Sequence, residues 1–125
     1  MRHRMLRNHI GTYGSHTRSL LKNQMRELVE HKSIVTTVTK AKVVQKAFEK
    51  LMTKAVKAAK AEKTESISLR RQINYYLSDR RLTNKLVDEI AKSIDKTSGF
   101  TRLVRIGRRR GDASEMVLLQ IIEKQ

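Results

Sequence analysis

Apolar residues recur at three- and four-residue intervals from Leu20 through Leu21, Met25 and Leu28 to Val29. This spacing predicts a helix over residues 16–31, with Ser15 or Thr17 as its N-cap. The period then changes. Residues 33–38, SIVTTV, form a β-branched run that predicts a short strand. Thr39 is placed to cap a long helix over residues 40–63, with Val44, Ala47, Phe48, Leu51, Ala55, Ala58 and Ala59 as its apolar stripe. Residues 61–65, AEKTE, break that pattern. Ser66 is a candidate cap for a shorter helix carrying Ile67, Leu69, Ile73, Tyr76 and Leu77. Asp79 caps a further helix with Leu82, Leu86, Val87, Ile90 and Ile94 on one side, and residues 93–99 turn. Residues 100–107, FTRLVRIG, and 116–122, MVLLQII, have strand composition. The second is apolar throughout, which predicts a central strand covered on both faces. Between them GRRRGDAS forms a hairpin connection.

The first fifteen residues follow neither period. Basic and small polar residues alternate there with scattered apolar ones, and Gly11 and Gly14 interrupt any helix. Such a segment buries too little apolar surface to offset the entropy of ordering, so it needs a partner. Residues 1–15 therefore read as an extended basic arm and residues 16–125 as a single domain. No internal repeat and no low-complexity linker divides the chain.

Charge identifies the partner class. The 125 residues carry a formal charge of +16 at a pI near 10.7. Solubility needs far less, and such an excess draws a polyanion. A membrane is the weaker choice: no apolar run of about 18 residues could span one, and the opening MRHRM lacks the apolar middle of a secretory signal. A transit peptide is expected to be an amphipathic helix, which Gly11 and Gly14 oppose. The chain has no Cys, which removes disulfides, thiolate nucleophiles and thiolate-held zinc and fits a reducing, intracellular compartment. Aromatics are few (Tyr13, Phe48, Tyr75, Tyr76 and Phe100), which disfavours a binder that stacks bases on aromatic platforms.

Candidate contacts follow from where the cations stand. The arm supplies Arg2, His3, Arg4, Arg7, Asn8 and His9. Ser15 and His16 follow, and the first helix presents Arg18, Lys22 and Arg26 at four-residue intervals, a ridge of about 12 Å. Lys40 and Lys42 mark the strand end and helix start. The other lysines of that helix read as solvated face. Arg108, Arg109 and Arg110 between Gly107 and Gly111 have no core role; the guanidinium fork matches phosphate oxygens. The pairs Arg70–Arg71 and Arg80–Arg81 are weaker candidates. Nothing forms an active site: no histidine has metal-ligand spacing, Asp88 and Glu89 point in different directions, and no phosphate-loop motif occurs. The expectation is a non-enzyme with no metal, no cofactor and no small-molecule substrate. Basic elements spread around one small core suit folded RNA better than one groove of duplex DNA. Two rivals stand beside this reading. A nucleoid-type DNA binder needs a dimer or an exposed apolar wedge. An RNA-cleaving or RNA-modifying enzyme has only His16 as a candidate base.

Three blocks then resemble a known family, the bacterial-type large-subunit ribosomal protein seventeen. The opening MRHR with Ser15, His16, Arg18 and Asn23 is similar to its arm and first helix. IVTTVTKAKVVQKAFEKLMTKAVK, residues 34–57, is similar to its strand, Thr pair, Lys-Ala-Lys and Glu-x-Leu-Met-Thr signature. FTRLVRIGRRRGDASEM, residues 100–116, with Arg102 and Arg105, is similar to its carboxy-terminal pattern. Val56 departs from an expected basic residue, and residues 61–78 carry little of the pattern, so Arg70 and Arg71 draw no support from it. The resemblance implies an α+β domain in the order helix, strand, three helices, two strands, with the helices packed on a small mixed sheet. It also implies a structural role in the cytoplasm: binding 23S-type ribosomal RNA near the peptide exit tunnel, beside other ribosomal proteins of the large subunit, in support of translation.

Overall fold

The structure, a computed structural model, describes residues 10–123. The arm candidates Arg2, His3, Arg4, Arg7, Asn8 and His9 lie outside the described residues.

Helix α1 spans Gly14–His31 and starts earlier than the apolar spacing predicts. Gly14 opens the helix instead of interrupting it, because the first N–H groups of a helix have no intrahelical partner in any case. Neither Ser15 nor Thr17 is the cap. Tyr13 holds that position with no side-chain bond, and the Thr17 hydroxyl donates to the Tyr13 carbonyl at 3.1 Å. Lys32 closes α1 in the left-handed region at φ 64°, its N–H bonded to the Leu28 carbonyl. Strand β1 covers Ser33–Thr37, and α2 follows at once as Val38–Lys60, with Thr37 rather than Thr39 at its N-cap. Helix α3 spans Lys63–Leu77, so Ser66 lies inside it and Glu62 takes the cap position. Only Ile73 and Leu77 of α3 are buried; Ile67 and Tyr76 are exposed, in contrast to their expected place in the stripe.

Asp79 does cap the next helix, α4, its carboxylate accepting from the Arg81 N–H at 2.8 Å and the Leu82 N–H at 3.4 Å. The helix is α over Arg80–Lys85, widens to a π turn over Leu86–Ile90 and ends in a 3-10 turn over Ala91–Ser93. Strands β2 (Thr101–Arg108) and β3 (Glu115–Ile121) complete the chain.

The fold is α+β in the expected element order, but the sheet is antiparallel throughout rather than mixed. Its order is β1-β3-β2. Strands β1 and β2 run the same way, yet β3 lies between them, so no parallel pair forms. Strand β3 is central as expected, but helices cover one face only. Val117, Leu119 and Ile121 point inward and are buried, with Ile34 and Leu103 beside Leu119 in register. On the other face Leu118 is shielded sideways by Val35 and Val104, themselves exposed. A continuous apolar run therefore reports lateral packing here, not a second layer.

The core joins Leu28 and Val29 of α1, Val44, Phe48 and Met52 of α2, Ile73 and Leu77 of α3, and Leu86 and Ile90 of α4 to Leu119 of β3. Burying side chains of this size contributes about 1.5–3 kcal/mol each. Glu49 of α2 ties this core to the sheet. Its carboxylate accepts from the Thr101 N–H at 2.9 Å, the Thr101 hydroxyl at 2.6 Å and the Phe100 N–H at 3.1 Å.

Candidate nucleic-acid interface

Sheet register puts several basic elements at one end of the molecule. Thr37, the last residue of β1, pairs with Met116, which pairs with Gly107 at the far end of β2. Helix α2 begins one residue later, so Lys40 and Lys42 stand at that end together with Arg105 and the β2–β3 tip. Neither α1 nor α2 has an acid in its first turn. The positive ends of both helix dipoles therefore have no compensating acid in their own first turns. Helix α1 reaches the same end: the Gln24 amide donates to the Thr36 hydroxyl at 3.4 Å, which sets Gln24 level with the Thr36 row. The turns before it, with Arg18 exposed, continue past that row. Ser15, His16 and Asn23 are exposed on the same helix.

The tip itself is an organised loop. The Arg109 N–H bonds to the Ser114 carbonyl at 3.0 Å. The Arg109 guanidinium forks onto Asp112, Nε at 2.9 Å and Nη2 at 2.6 Å, while Ser114 donates its N–H and hydroxyl to the same carboxylate at 3.1 and 2.8 Å. Arg109, with Ser114 behind it, holds the Asp112 carboxyl far below the ordinary carboxylate range. Gly111 sits at φ +99° and Gly107 at φ +132°, conformations that favour glycine. Consequently the three arginines divide. Arg109 is spent on the turn, whereas Arg108 and Arg110 are exposed and form no ion pair among the described residues. Arg105 lies 3.8 Å from Glu115, a loose exposed contact.

Other candidates are placed elsewhere. Arg102 stands toward the opposite end of the sheet, its guanidinium on the Gln120 amide oxygen at 3.1 Å. Arg70 forks onto Asp88 at 2.6 and 3.3 Å and reaches Asn84 at 2.9 Å, linking α3 to α4. That bond depresses the Asp88 pKa. Arg81 forks onto Glu30 of α1 at 2.8 and 3.2 Å and likewise lowers the Glu30 pKa. Arg70 and Arg81 are thus committed to carboxylates of their own domain, while Arg71 and Arg80 are exposed and form no such pair among the described residues. Arg26 lines a mixed-charge depression with Glu27, Glu30 and Arg81.

Composition concealed one feature. Tyr75 and Tyr76 stand exposed on α3, their rings edge to face at 5.4 Å between centroids. Lys22 of α1 lies over Tyr75 with Nζ 5.4 Å from the ring centroid, and Lys54 of α2 lies over Tyr76 at 5.2 Å. The adjacent tyrosines are visible in the chain, but their exposure is not, since one of them fits the apolar stripe.

For catalysis the described residues offer little geometry. His16 is exposed beside Tyr13, rings 6.1 Å apart, and makes no hydrogen bond among the described residues that could orient it as a base. His31 lies 3.3 Å from Glu27 on an exposed helix face. Among the described residues no group of three His, Cys, Asp or Glu side chains could hold a metal ion, and no helix is long and apolar enough to cross a membrane.

Comparison with known proteins gives the family. The family described as Ribosomal protein L17 matches residues 20–122. A protein of Thermotoga neapolitana named large ribosomal subunit protein bL17 is 58% identical over 125 residues, covering 98% of this chain and 95% of that protein. The protein of the same name from Thermotoga maritima is 56% identical with the same coverage. That from Fervidobacterium nodosum is 54% identical over 127 residues, covering 98% of this chain and all of its own length, 100%. On this match, extending from within α1 through the end of β3, the chain belongs to the ribosomal protein L17 family.

Proposed function

We propose that this protein binds large-subunit ribosomal RNA through the basic end of its sheet, as a structural constituent of the large ribosomal subunit that supports translation. Membership of a ribosomal protein family makes it a structural component and not an enzyme. The observation that carries the RNA reading is the gathering of Arg18, Lys40, Lys42, Arg105, Arg108 and Arg110 at one end, from elements far apart in sequence. Their charge outruns the acids nearby, and phosphate is the anion a guanidinium fork fits. Residues 1–15 act in this reading as a basic arm, bringing Arg2, His3, Arg4, Arg7, Asn8 and His9 to the same RNA. Arg102, Arg71 and Arg80 are secondary contacts, and Ser15, His16, Lys22 and Asn23 flank the main one. A place near the peptide exit tunnel, beside other ribosomal proteins in the cytoplasmic ribosome, rests on the family resemblance.

Competition binding tests the reading. Folded large-subunit RNA should displace equal-length duplex DNA from the protein, and the protein should sediment with the large ribosomal particle until high salt strips it off. A preference for duplex DNA transfers the basic end to an architectural DNA binder. Replacing Arg108 and Arg110 by Glu should weaken RNA binding at least tenfold, about one charge-assisted contact each, and leave the circular dichroism spectrum unchanged.

A further inference from the structure

We infer that the Tyr75–Tyr76 corner, with the cleft beside it, is a binding site for an unstacked nucleotide of RNA; the inference rests on the RNA reading above. Helix α3 needs neither ring for its core: Ile73 and Leu77 supply its buried contacts, while Tyr75 is 72% and Tyr76 42% exposed. The two rings stand perpendicular, at 86°, so one corner offers a ring face and a ring edge in different directions.

Cations from two other helices converge on the pair. Lys22 belongs to the basic ridge of α1, and Lys54 to the lysine row of α2. An exposed cation–π contact is weaker than the stacking of a base on an aromatic ring. A base can therefore take the tyrosine face while the displaced ammonium moves a short way to the phosphate of the same nucleotide. Next to Tyr76 opens a cleft of about 830 Å³ between α1 and α2, floored by Leu21 and Leu51, with Lys46, Lys50 and Lys54 along its rim. Apolar floor, aromatic wall and cationic rim are the three surfaces a nucleotide presents partners for: base, sugar and phosphate. Glu49, which also lines the cleft, directs its carboxylate to Phe100 and Thr101 at the start of β2 and forms no ion pair with these lysines among the described residues. Base-paired RNA hides its base faces; a loop or bulge exposes them. The site therefore takes single-stranded or splayed nucleotides, and it adds an element of selection to contacts that otherwise read only phosphate.

The test uses the full chain and two probes, an unstructured dodecaribonucleotide and an RNA duplex of equal phosphate number. Tyr75→Ala with Tyr76→Ala should weaken single-strand binding about tenfold or more, at the low end of base–aromatic stacking. Tyr75→Phe with Tyr76→Phe should stay within about twofold of the parent, since stacking uses the ring and not the hydroxyl. Duplex affinity and the circular dichroism spectrum should be the same in all three proteins. A single-strand oligomer carrying a photoreactive thiouridine should crosslink to the peptide containing Tyr75. If the alanine pair binds the single strand as well as the parent does, or weakens both probes equally, the nucleotide site is overturned while RNA binding stands. If the parent protein binds neither probe, the RNA reading itself fails.

Discussion

Glu49 carries more of the fold than its single charge suggests. Three donors from the start of β2 converge on its carboxylate, and Gln45 adds a contact from its own amide to the Thr101 hydroxyl at 3.3 Å. Hydrogen bonds to a charged acceptor are worth more than neutral ones, and losing the acceptor leaves two backbone donors beside the buried Phe100 and Thr101 without a partner. Glu49→Ala is expected to cost about 2 kcal/mol in chemical denaturation, and Glu49→Gln less, because one acceptor oxygen remains. A midpoint equal to that of the parent removes Glu49 from the list of fold-holding groups. The residue sits within the Glu-x-Leu-Met-Thr signature of the chain, and the chemistry of that signature is structural: Leu51 and Met52 are core and Thr53 bonds back to the Glu49 carbonyl at 3.0 Å.

At the scale of elements, the β2–β3 tip and the α1–α4 and α3–α4 joints share one device, a guanidinium on a carboxylate. Asp112, Asp88 and Glu30 all have pKa values lowered chiefly by their hydrogen bonds to Arg109, Arg70 and Arg81. Groups whose folded pKa is depressed contribute stability that is fully present above their unfolded values, near about 4. That contribution is lost as pH falls through the depressed folded values. Stability should accordingly be flat from neutral pH down to about 5 and fall below about 4. Carboxyl chemical shifts of Asp112 should titrate last, and an Asp112→Asn variant should show a shallower acid loss. An Asp112 carboxyl that titrates at the ordinary value means the tip opens in solution, with Arg109 then free for phosphate. All three pairs are exposed, so their role is to set geometry more than to add stability.

Across the whole molecule, the outstanding quantity is charge. The chain carries +16; Glu30 and Asp88 are engaged with arginines away from the basic end, and only Asp112 and Glu115 pair with arginines at it among the described residues. Neutralising about six to ten RNA phosphates should make affinity fall by about three to five orders of magnitude between 50 and 200 mM salt. Fluorescence anisotropy across a salt series reads that slope directly. The Arg108→Glu, Arg110→Glu variant should flatten it by about two phosphates' worth, whereas the tyrosine variants should leave it unchanged. A slope indifferent to salt contradicts phosphate as the main partner.

Local pattern alone determined much of this protein. Three- and four-residue periodicity placed α1, α2 and α4, β-branching placed β1, and the short side chain of Asp79 announced its own cap, because these depend on neighbours within a turn or two. Net charge likewise sets the expectation of a polyanion partner, since it is a sum over residues and needs no fold. Tertiary structure decided what depends on residues distant along the chain. It put β3 between β1 and β2 and left one sheet face open. It spent Arg109, Arg81 and Arg70 on Asp112, Glu30 and Asp88 while leaving Arg108 and Arg110 exposed. It also turned Tyr76 outward from a stripe it fits by spacing and brought Lys22 and Lys54 to the tyrosine pair. A cation's role is set by the nearest anion or ring in space, and for Arg81 that partner, Glu30, lies 51 residues away.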